Sequence, residues 1–237
     1  MVRTAPKQNR AKVLRGSWIW RVLSWAALAF GIFYCCCLAD LVALKWIHPP
    51  TTAVQAERRI AALLHRRKYQ KRYSWVSLGR ISRDLQHAVI AGEDARFYQH
   101  HGFDWEEMKK VMDSDLEKKR LGRGASTITQ QLVKNLFLTT NRSILRKGVE
   151  ALLVPPAEFI LGKQRILELY LNLIEWGPGV YGAEAAAGLY YNEPASRVGR
   201  DQAARLAAIV PAPLVRKPAR MNEYSAEILD RMSRMGW

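Results

Sequence analysis

The sequence predicts a mainly α-helical protein, one helical domain behind a single N-terminal transmembrane helix, and three observations lead there. An uncharged apolar run near the N-terminus is long enough to cross a bilayer. Downstream, apolar residues recur at helical spacing, broken by capping residues and by a glycine–proline stop. Strand signals are almost absent. At 237 residues the chain accommodates one well-packed domain plus an appendage.

The apolar run, VLSWAALAFGIFYCCCLA, covers Val22 to Ala39. About 18 residues make a helix of about 27 Å, against a bilayer core of about 30 Å. The span is assigned to residues 22–44. Residues 1–21 form a basic tail with Arg3, Lys7, Arg10, Lys12, Arg15 and Arg21 and no acid, the asymmetry that keeps an N-terminus cytoplasmic and leaves the remainder outside. Leu38-Ala39-Asp40 loosely resembles a signal-peptide cleavage site. The run nevertheless exceeds the usual apolar region of about 7 to 15 residues and lacks a small-x-small ending, which favours an uncleaved anchor. All three cysteines, Cys35, Cys36 and Cys37, lie in this run, so the exported part has neither disulfides nor a cysteine-based metal site.

Residues 45–73 read as a juxtamembrane connection, with a basic stretch from Arg58 to Arg72 that suits lipid headgroups and a solvated helix face equally. The domain, 74–237, opens near Trp75. Leu85, Ala88, Val89 and Ala91 give helical spacing over Ser82 to Ala91. Asp104 followed by Glu107 resembles a capping box for a helix from Trp105. Further helices are expected over Ser126–Phe137, Ser143–Leu153, Lys163–Ile174, Ala183–Tyr190 and Asp201–Ile209. In Lys163–Ile174 the stripe Ile166, Leu167, Tyr170, Leu173 and Ile174 is core, and Gly177-Pro178-Gly179 stops the helix.

Candidate chemistry gathers in three places. AGEDARFYQHHGFD sets Glu93 and Asp94 after a packed helix and before an aromatic and histidine cluster, where desolvation can raise a carboxyl pKa; an acidic pair at a helix end also suits a solvated turn. His100 and His101 are adjacent and lack metal-binding spacing, so hydrogen bonding is the better reading and no metal site is assigned. GRGASTITQQLVKN, Gly122 to Asn135, offers small residues, hydroxyls and amides beside Lys134, suited to phosphate oxygens but without the order of a nucleotide P-loop. In NRSILRKGVE, Arg142, Arg146 and Lys147 gather near Glu150; the i,i+4 pair Arg146 and Glu150 could be an ordinary surface ion pair. Together these supply an isolated carboxylate, a cation-rich anion site and a second carboxylate, which describes sugar transfer from a lipid diphosphate.

EDARFYQHHGFD, GASTITQQLVKN, RKGVE, KQRILELYLN and GVYGAEAAA, in that order between about Trp75 and Pro218, resemble the bacterial peptidoglycan glycosyltransferases of glycosyltransferase family 51, most closely the monofunctional biosynthetic type. The resemblance implies a lysozyme-like α fold and an inverting enzyme of the inner, or cytoplasmic, membrane that polymerises lipid II into β-1,4-linked glycan strands, releasing undecaprenyl diphosphate. It implies Glu93 as the base that deprotonates the attacking sugar hydroxyl, and Glu150 as the second carboxylate, orienting basic groups or a divalent cation around the diphosphate. Lys134, Arg142, Arg146 and Lys147 would neutralise that diphosphate. Ser126, Thr127, Gln130 and Gln131 would lie near the donor sugar and phosphate, while Asp94, Phe97 and His100 serve architecture as much as contact. No tightly bound cofactor is implied, with Mg or Mn as the cation assisting departure. Lys109 to Arg123 occupies the position of a mobile flap.

The sequence departs from the family at Val154-Pro155-Pro156, where two prolines should bend or end the helix. A second departure is Tyr190-Tyr191-Asn192-Glu193, where Gly-Lys is usual after the aromatic pair. No Ser-x-x-Lys or Lys-Thr-Gly is present, so cross-linking is expected from transpeptidases, alongside division or elongation proteins as partners. A lytic transglycosylase or lysozyme-like hydrolase is the alternative reading, and a basic scaffold protein is a third. Nucleic acid is a poor partner despite the net charge of +16, because the domain faces away from the cytoplasm.

Overall fold

Helices make up most of the computed structural model, which describes residues 9–118, 126–141 and 143–237. The chain divides into two compact units, the first ending at Asp40 and the second running from Leu41 to Trp237. The long helix α1 (Asn9–Ala43) contains Trp18–Ala43, 26 residues with a mean hydropathy of 2.1. Among the described residues it is the one helix long and apolar enough to cross a membrane.

Residues 45–73, expected to be a connection, are largely folded. They carry α2 (Ala53–Leu64), capped by the Thr52 hydroxyl on the Gln55 N–H at 3.3 Å, and the two-residue strand β1 (Arg72–Tyr73). The basic composition hid them: α2 buries only Val54 and Gln55 fully, so its inward stripe is half polar.

Next come α3 (Arg83–Glu93), α4 (Trp105–Lys118), α5 (Ile128–Phe137) and α6 (Ile144–Leu173). Each opens on a side-chain cap: Ser82 on Leu85 N–H, Asp104 on Glu107 N–H at 2.9 Å, Thr127 on Gln130 N–H and Ser143 on Arg146 N–H. Such caps each contribute about 1 kcal/mol by satisfying amides that the first turn leaves unpaired. The two helices expected over 143–153 and 163–174 form one element. Helix continues through Pro155 and Pro156, contrary to expectation, and the interruption falls at Gly162, with φ 71° and ψ 163°. Pro155 is exposed and Pro156 half-buried, so the pair lies on an outward-facing part of the helix, where the ring can be accommodated without disturbing the core. Gly162 adopts a conformation that side chains disfavour, which makes it the natural break.

β2 (Glu175–Gly177) and β3 (Val180–Tyr181) follow, then α7 (Ala183–Tyr191), α8 (Arg200–Ile209) and α9 (Asn222–Arg234). The sheet order is β1-β3-β2, with β1 parallel to β3 and β2 antiparallel to it. Strands of two or three residues are too short for alternation to register in sequence. After α7, Asn192 takes φ 55°, the left-handed conformation that glycine adopts at many helix ends. Asparagine tolerates that conformation better than other side chains, so the turn survives the loss of glycine.

α3 packs against α8 and α9, while α5 packs against α6 and α2. Leu85, Val89, Leu132, Leu153, Ile166 and Leu206 are fully buried in these contacts. The loop between α3 and α4 turns back at Gly102, where φ is 91° and a Cβ would strike the side chains of Val154 and Glu158. Gly102→Ala is therefore expected to cost about 3 kcal/mol from strain and overpacking together. Urea unfolding followed by circular dichroism checks this; an unchanged midpoint would show that the loop is not pinned there.

Candidate active site

Glu93 is the last residue of α3, and helix termination separates it from its acidic neighbour. Asp94, the C-cap, has φ −161° and ψ 72°. Its carboxylate is buried: one oxygen meets His100 Nε2 at 2.8 Å and the other accepts from the Ile128 N–H at 3.0 Å. His100 Nδ1 in turn accepts from the Gly102 N–H at 3.2 Å. Asp94 and His100 thus tie the loop to the start of α5. Phe97 is fully buried, with Lys163 Nζ 4.4 Å above its ring.

Glu93 points elsewhere, into a cleft of about 430 Å³ whose walls include Ser126, Thr127, Arg96 and, from the C-terminal helix, Arg231 and Arg234. Its Oε2 accepts a 2.7 Å hydrogen bond from Gln131 Nε2. Gln131 Oε1 accepts from the Tyr170 hydroxyl at 2.8 Å, and its backbone carbonyl accepts from Asn135. Tyr170 is fully buried, and that burial pushes its pKa well above the ordinary tyrosine value. It remains a donor, which fixes the glutamine amide with its nitrogen towards Glu93. Burial raises the Glu93 pKa; the Gln131 bond and the charges of Lys134 and Arg216 oppose that rise, and Asp94 adds to it.

Beyond Glu93 lies a second charge cluster. Lys134, on α5, is held below the ordinary lysine range by desolvation; Glu150 and Glu93 pull its pKa up, and Arg146 and Lys147 push it down. Glu150 is buried on α6 and is paired with Arg146 at 2.6 Å and with Lys147. Arg146 also donates to the Asn141 carbonyl, so its guanidinium is fixed from two sides.

The structure therefore brings together Glu93, Gln131, Lys134, Glu150, Arg146 and Lys147. It places Thr127 and Gln130 in a reciprocal capping box at the start of α5, with the Thr127 hydroxyl donating to the Gly102 carbonyl at 2.6 Å. Their polar ends are engaged in folding the loop. Ser126 lines the cleft, and its carbonyl lies 3.4 Å from Gln131 Nε2. Arg142 and residues 119–125, which include the last five positions of the expected flap, lie outside the described residues, whereas its first ten, 109–118, belong to α4.

Two partners were not legible beforehand. Tyr170 was read as core; its hydroxyl, which needs a buried acceptor, was the available signal. Arg216 had none: it reaches the site from the segment after α8, donating to the Ala208 carbonyl and lying 5.2 Å over the Tyr224 ring.

The arrangement does not suit a divalent cation. Both Glu150 oxygens already face cationic side chains. Asp94, His100 and Asp104 come within 4.8 Å of one another, but Asp94 and His100 spend their ligand atoms on each other and on backbone amides, while Asp104 caps α4 and lies 3.6 Å from Arg96.

A half-buried carboxylate that is steadied by an amide, borders a cleft and is coupled to a nearby cluster of fixed cations has the groups that acid–base chemistry with an anionic leaving group requires. The chain belongs to the transglycosylase family, whose pattern matches residues 58–235. It is 45% identical over 196 residues to a biosynthetic peptidoglycan transglycosylase of Laribacter hongkongensis, covering 83% of this chain and 86% of that one. A protein of the same description from Dechloromonas aromatica is 42% identical over 221 residues, covering 92% and 96%. Another, from Bordetella pertussis, is 43% identical over 216 residues, covering 87% and 89%.

The Gln131 N–H stabilises the ionised form of Glu93, so removing it should raise the Glu93 pKa further. For Gln131→Leu the acidic limb of the rate–pH profile should move to higher pH, with a smaller shift in the same direction for Tyr170→Phe. Glycan polymerisation measured across pH tests both. Superimposable limbs in all three proteins would show that the amide does not act on Glu93.

Proposed function

We infer that the chain is a peptidoglycan glycosyltransferase that extends glycan strands from a lipid-linked disaccharide, with Glu93 as general base. The observation that carries this reading is the pairing of Glu93, open to the cleft, with the fixed cation cluster around Glu150.

In the proposed step, an acceptor sugar hydroxyl lying in the cleft attacks the anomeric carbon of the donor. Glu93 takes the hydroxyl proton, a new glycosidic C–O bond forms, and the bond from the anomeric carbon to the diphosphate oxygen breaks with inversion. The diphosphate leaves with the electron pair as an anion and needs no proton, which is why one base suffices where glycoside hydrolysis needs an acid as well. Lys134, Arg146 and Lys147 meet the developing charge. Glu150 keeps Arg146 and Lys147 from repelling one another, holding them in place before substrate arrives. No step requires a resident metal ion. A lytic reaction on finished glycan would leave this cation cluster without a partner, since the polymer backbone has no diphosphate.

The placement follows from the same chemistry. A lipid-linked substrate requires the enzyme at a membrane, and α1 supplies a span, with the basic tail inside and the domain outside. Strands made this way would be cross-linked by separate transpeptidases.

Glu93→Gln should lower the polymerisation rate by about 10²–10⁴-fold, the usual contribution of a positioned base. It should also raise thermal stability. A carboxyl whose folded pKa lies above its unfolded value destabilises the fold increasingly as pH rises from the unfolded value through the folded one. The melting temperature of Glu93→Gln at pH 7 should therefore exceed that of the unaltered protein, with the gap closing in acid. Retained polymerisation in Glu93→Gln, using lipid-linked disaccharide, would remove Glu93 from the mechanism; shortening of finished glycan without polymerisation would overturn the synthetic reading.

A further inference from the structure

The C-terminal helix α9 packs against the residue that precedes the base. That residue is Gly92, and a Cβ there would stand 3.3 Å from the Ile228 side chain, so the missing side chain lets α9 press against the end of α3. Ile228 and Met232 are fully buried on this side of the helix. Arg231 Nη1 donates to the Ala91 carbonyl at 3.4 Å, a second pin beside the base. Tyr224, Arg231 and Arg234 recur at helical spacing and line the cleft that Glu93 borders.

The two arginines are only loosely committed within their own helix. Arg231 lies 3.5 Å from Glu227, and Arg234 lies 2.6 Å from Asp230 in a pair whose side chains are 70% and 63% exposed. Exposed pairs of this kind are weak and exchange readily for a ligand. Each guanidinium carries five N–H donors in a planar fork that matches a carboxylate. The other walls of the cleft include Arg96, whose charge is taken up by Glu106 and Asp104, and Glu107 of α4. Both signs of charge therefore face this space. A diphosphate would be repelled by the acids, and the groups suited to it, Lys134, Arg146 and Lys147, are not among the residues that line the cleft. A ligand with carboxylates and an amino group of its own suits the mixture.

Such a ligand is attached to the acceptor itself. Peptidoglycan differs from a plain polysaccharide by the short acidic peptide on alternate sugars, so an acceptor whose hydroxyl lies at Glu93 brings a peptide stem one sugar away. We propose that Arg231 and Arg234 bind a carboxylate of that stem and thereby select acceptors that carry it. The proposal rests on the glycosyltransferase reading given above. Glu227 and Asp230 hold the two arginines before substrate arrives and then meet the amino group of the peptide. α9 touches no reacting atom in this scheme, so acceptor binding depends on it and the chemical step does not.

The test measures polymerisation by the full chain with two lipid-linked disaccharides, one bearing the unmodified peptide and one whose peptide carboxylates are amidated. Arg231→Gln and Arg234→Glu are compared with the unaltered protein, and Arg80→Glu, exposed and outside the cleft, controls for net charge. With the unmodified peptide, the KM of each cleft variant should rise about tenfold while kcat stays within about twofold, as expected when one charge-assisted hydrogen bond is lost from binding alone. Arg80→Glu should match the unaltered protein. The amidated peptide should impose the same rise on the unaltered protein and no further one on the cleft variants. Unchanged KM in Arg234→Glu would overturn the proposal. So would a rise of equal size with both peptides, since the arginines would then serve the acceptor's diphosphate or the fold. Where Arg231→Gln loses its fold with the Ala91 contact, Arg234→Glu decides alone, because its side chain is exposed. An unaltered chain that polymerises neither substrate fails the glycosyltransferase reading and this one with it, whereas one that polymerises both with equal KM fails only this one.

Discussion

The side-chain amide of Gln131 joins three helices. Its nitrogen donates to Glu93 at the end of α3, and its oxygen accepts from Tyr170 on α6, while the residue itself belongs to α5. An amide with one donor face and one acceptor face can satisfy both partners in only one orientation. The hydroxyl of Tyr170, buried and far from ionising, selects it. The geometry of the base is thereby transmitted from the hydrophobic core: α6 places Tyr170, Tyr170 turns Gln131, and Gln131 steadies Glu93. The capping box of Thr127 and Gln130 starts α5 at the register this needs, and Asp94 holds that start through the Ile128 N–H. Residues that look like substrate contacts in sequence therefore act one step earlier, by fixing the helix that bears Gln131.

The two glutamates show how environment divides one chemistry into two roles. Glu150 lies deeper, but Arg146 and Lys147 answer its charge directly, and its value lies in the cations it organises. Glu93 has a neutral amide as its direct partner and cations only at longer range, so desolvation prevails and its pKa rises. A base with a raised pKa binds a transferred proton more firmly, and Lys134 and Arg216 oppose that rise. Lys134 responds to both carboxylates and so couples Glu93 to the cluster around Glu150. Its lowered pKa has the same origin, burial, acting on the opposite charge.

What could be read from the sequence follows from the length scale of each signal. Helices α3, α5 and α8 repeat an apolar face over several turns and were placed to within two residues of their observed ends. α9 was missed because Ser225, Ile228 and Met232 make a thin buried stripe in a charged segment, and α2 for a similar reason. The tandem prolines misled because a local rule about missing donors ignores that the pair sits on an outward-facing part of the helix; Gly162, an unremarkable glycine in sequence, supplies the break. At the candidate site, the clustering of Glu93, Lys134, Arg146, Lys147 and Glu150 was legible, since they are close in sequence or share recognisable blocks. Tyr170 and Arg216 act through contacts 39 and more residues distant, for which one sequence has no period or spacing to offer.

A polymerase of lipid-linked sugars must solve a problem of solvent as well as of chemistry. Its donor keeps one end in hydrocarbon, its product grows into water, and the diphosphate that leaves is charged at the boundary between them. In the reaction proposed above, separate groups would meet these demands: α1 is long and apolar enough to be the span, and the cations around Glu150 would face the charge of the leaving group. Arg146 and Lys147 sit in the first turn of α6, next to Ile144 and Leu145. The leaving-group site proposed above therefore lies at the rim of the domain, where Lys147 keeps 45% of its side chain exposed, and not in the apolar core.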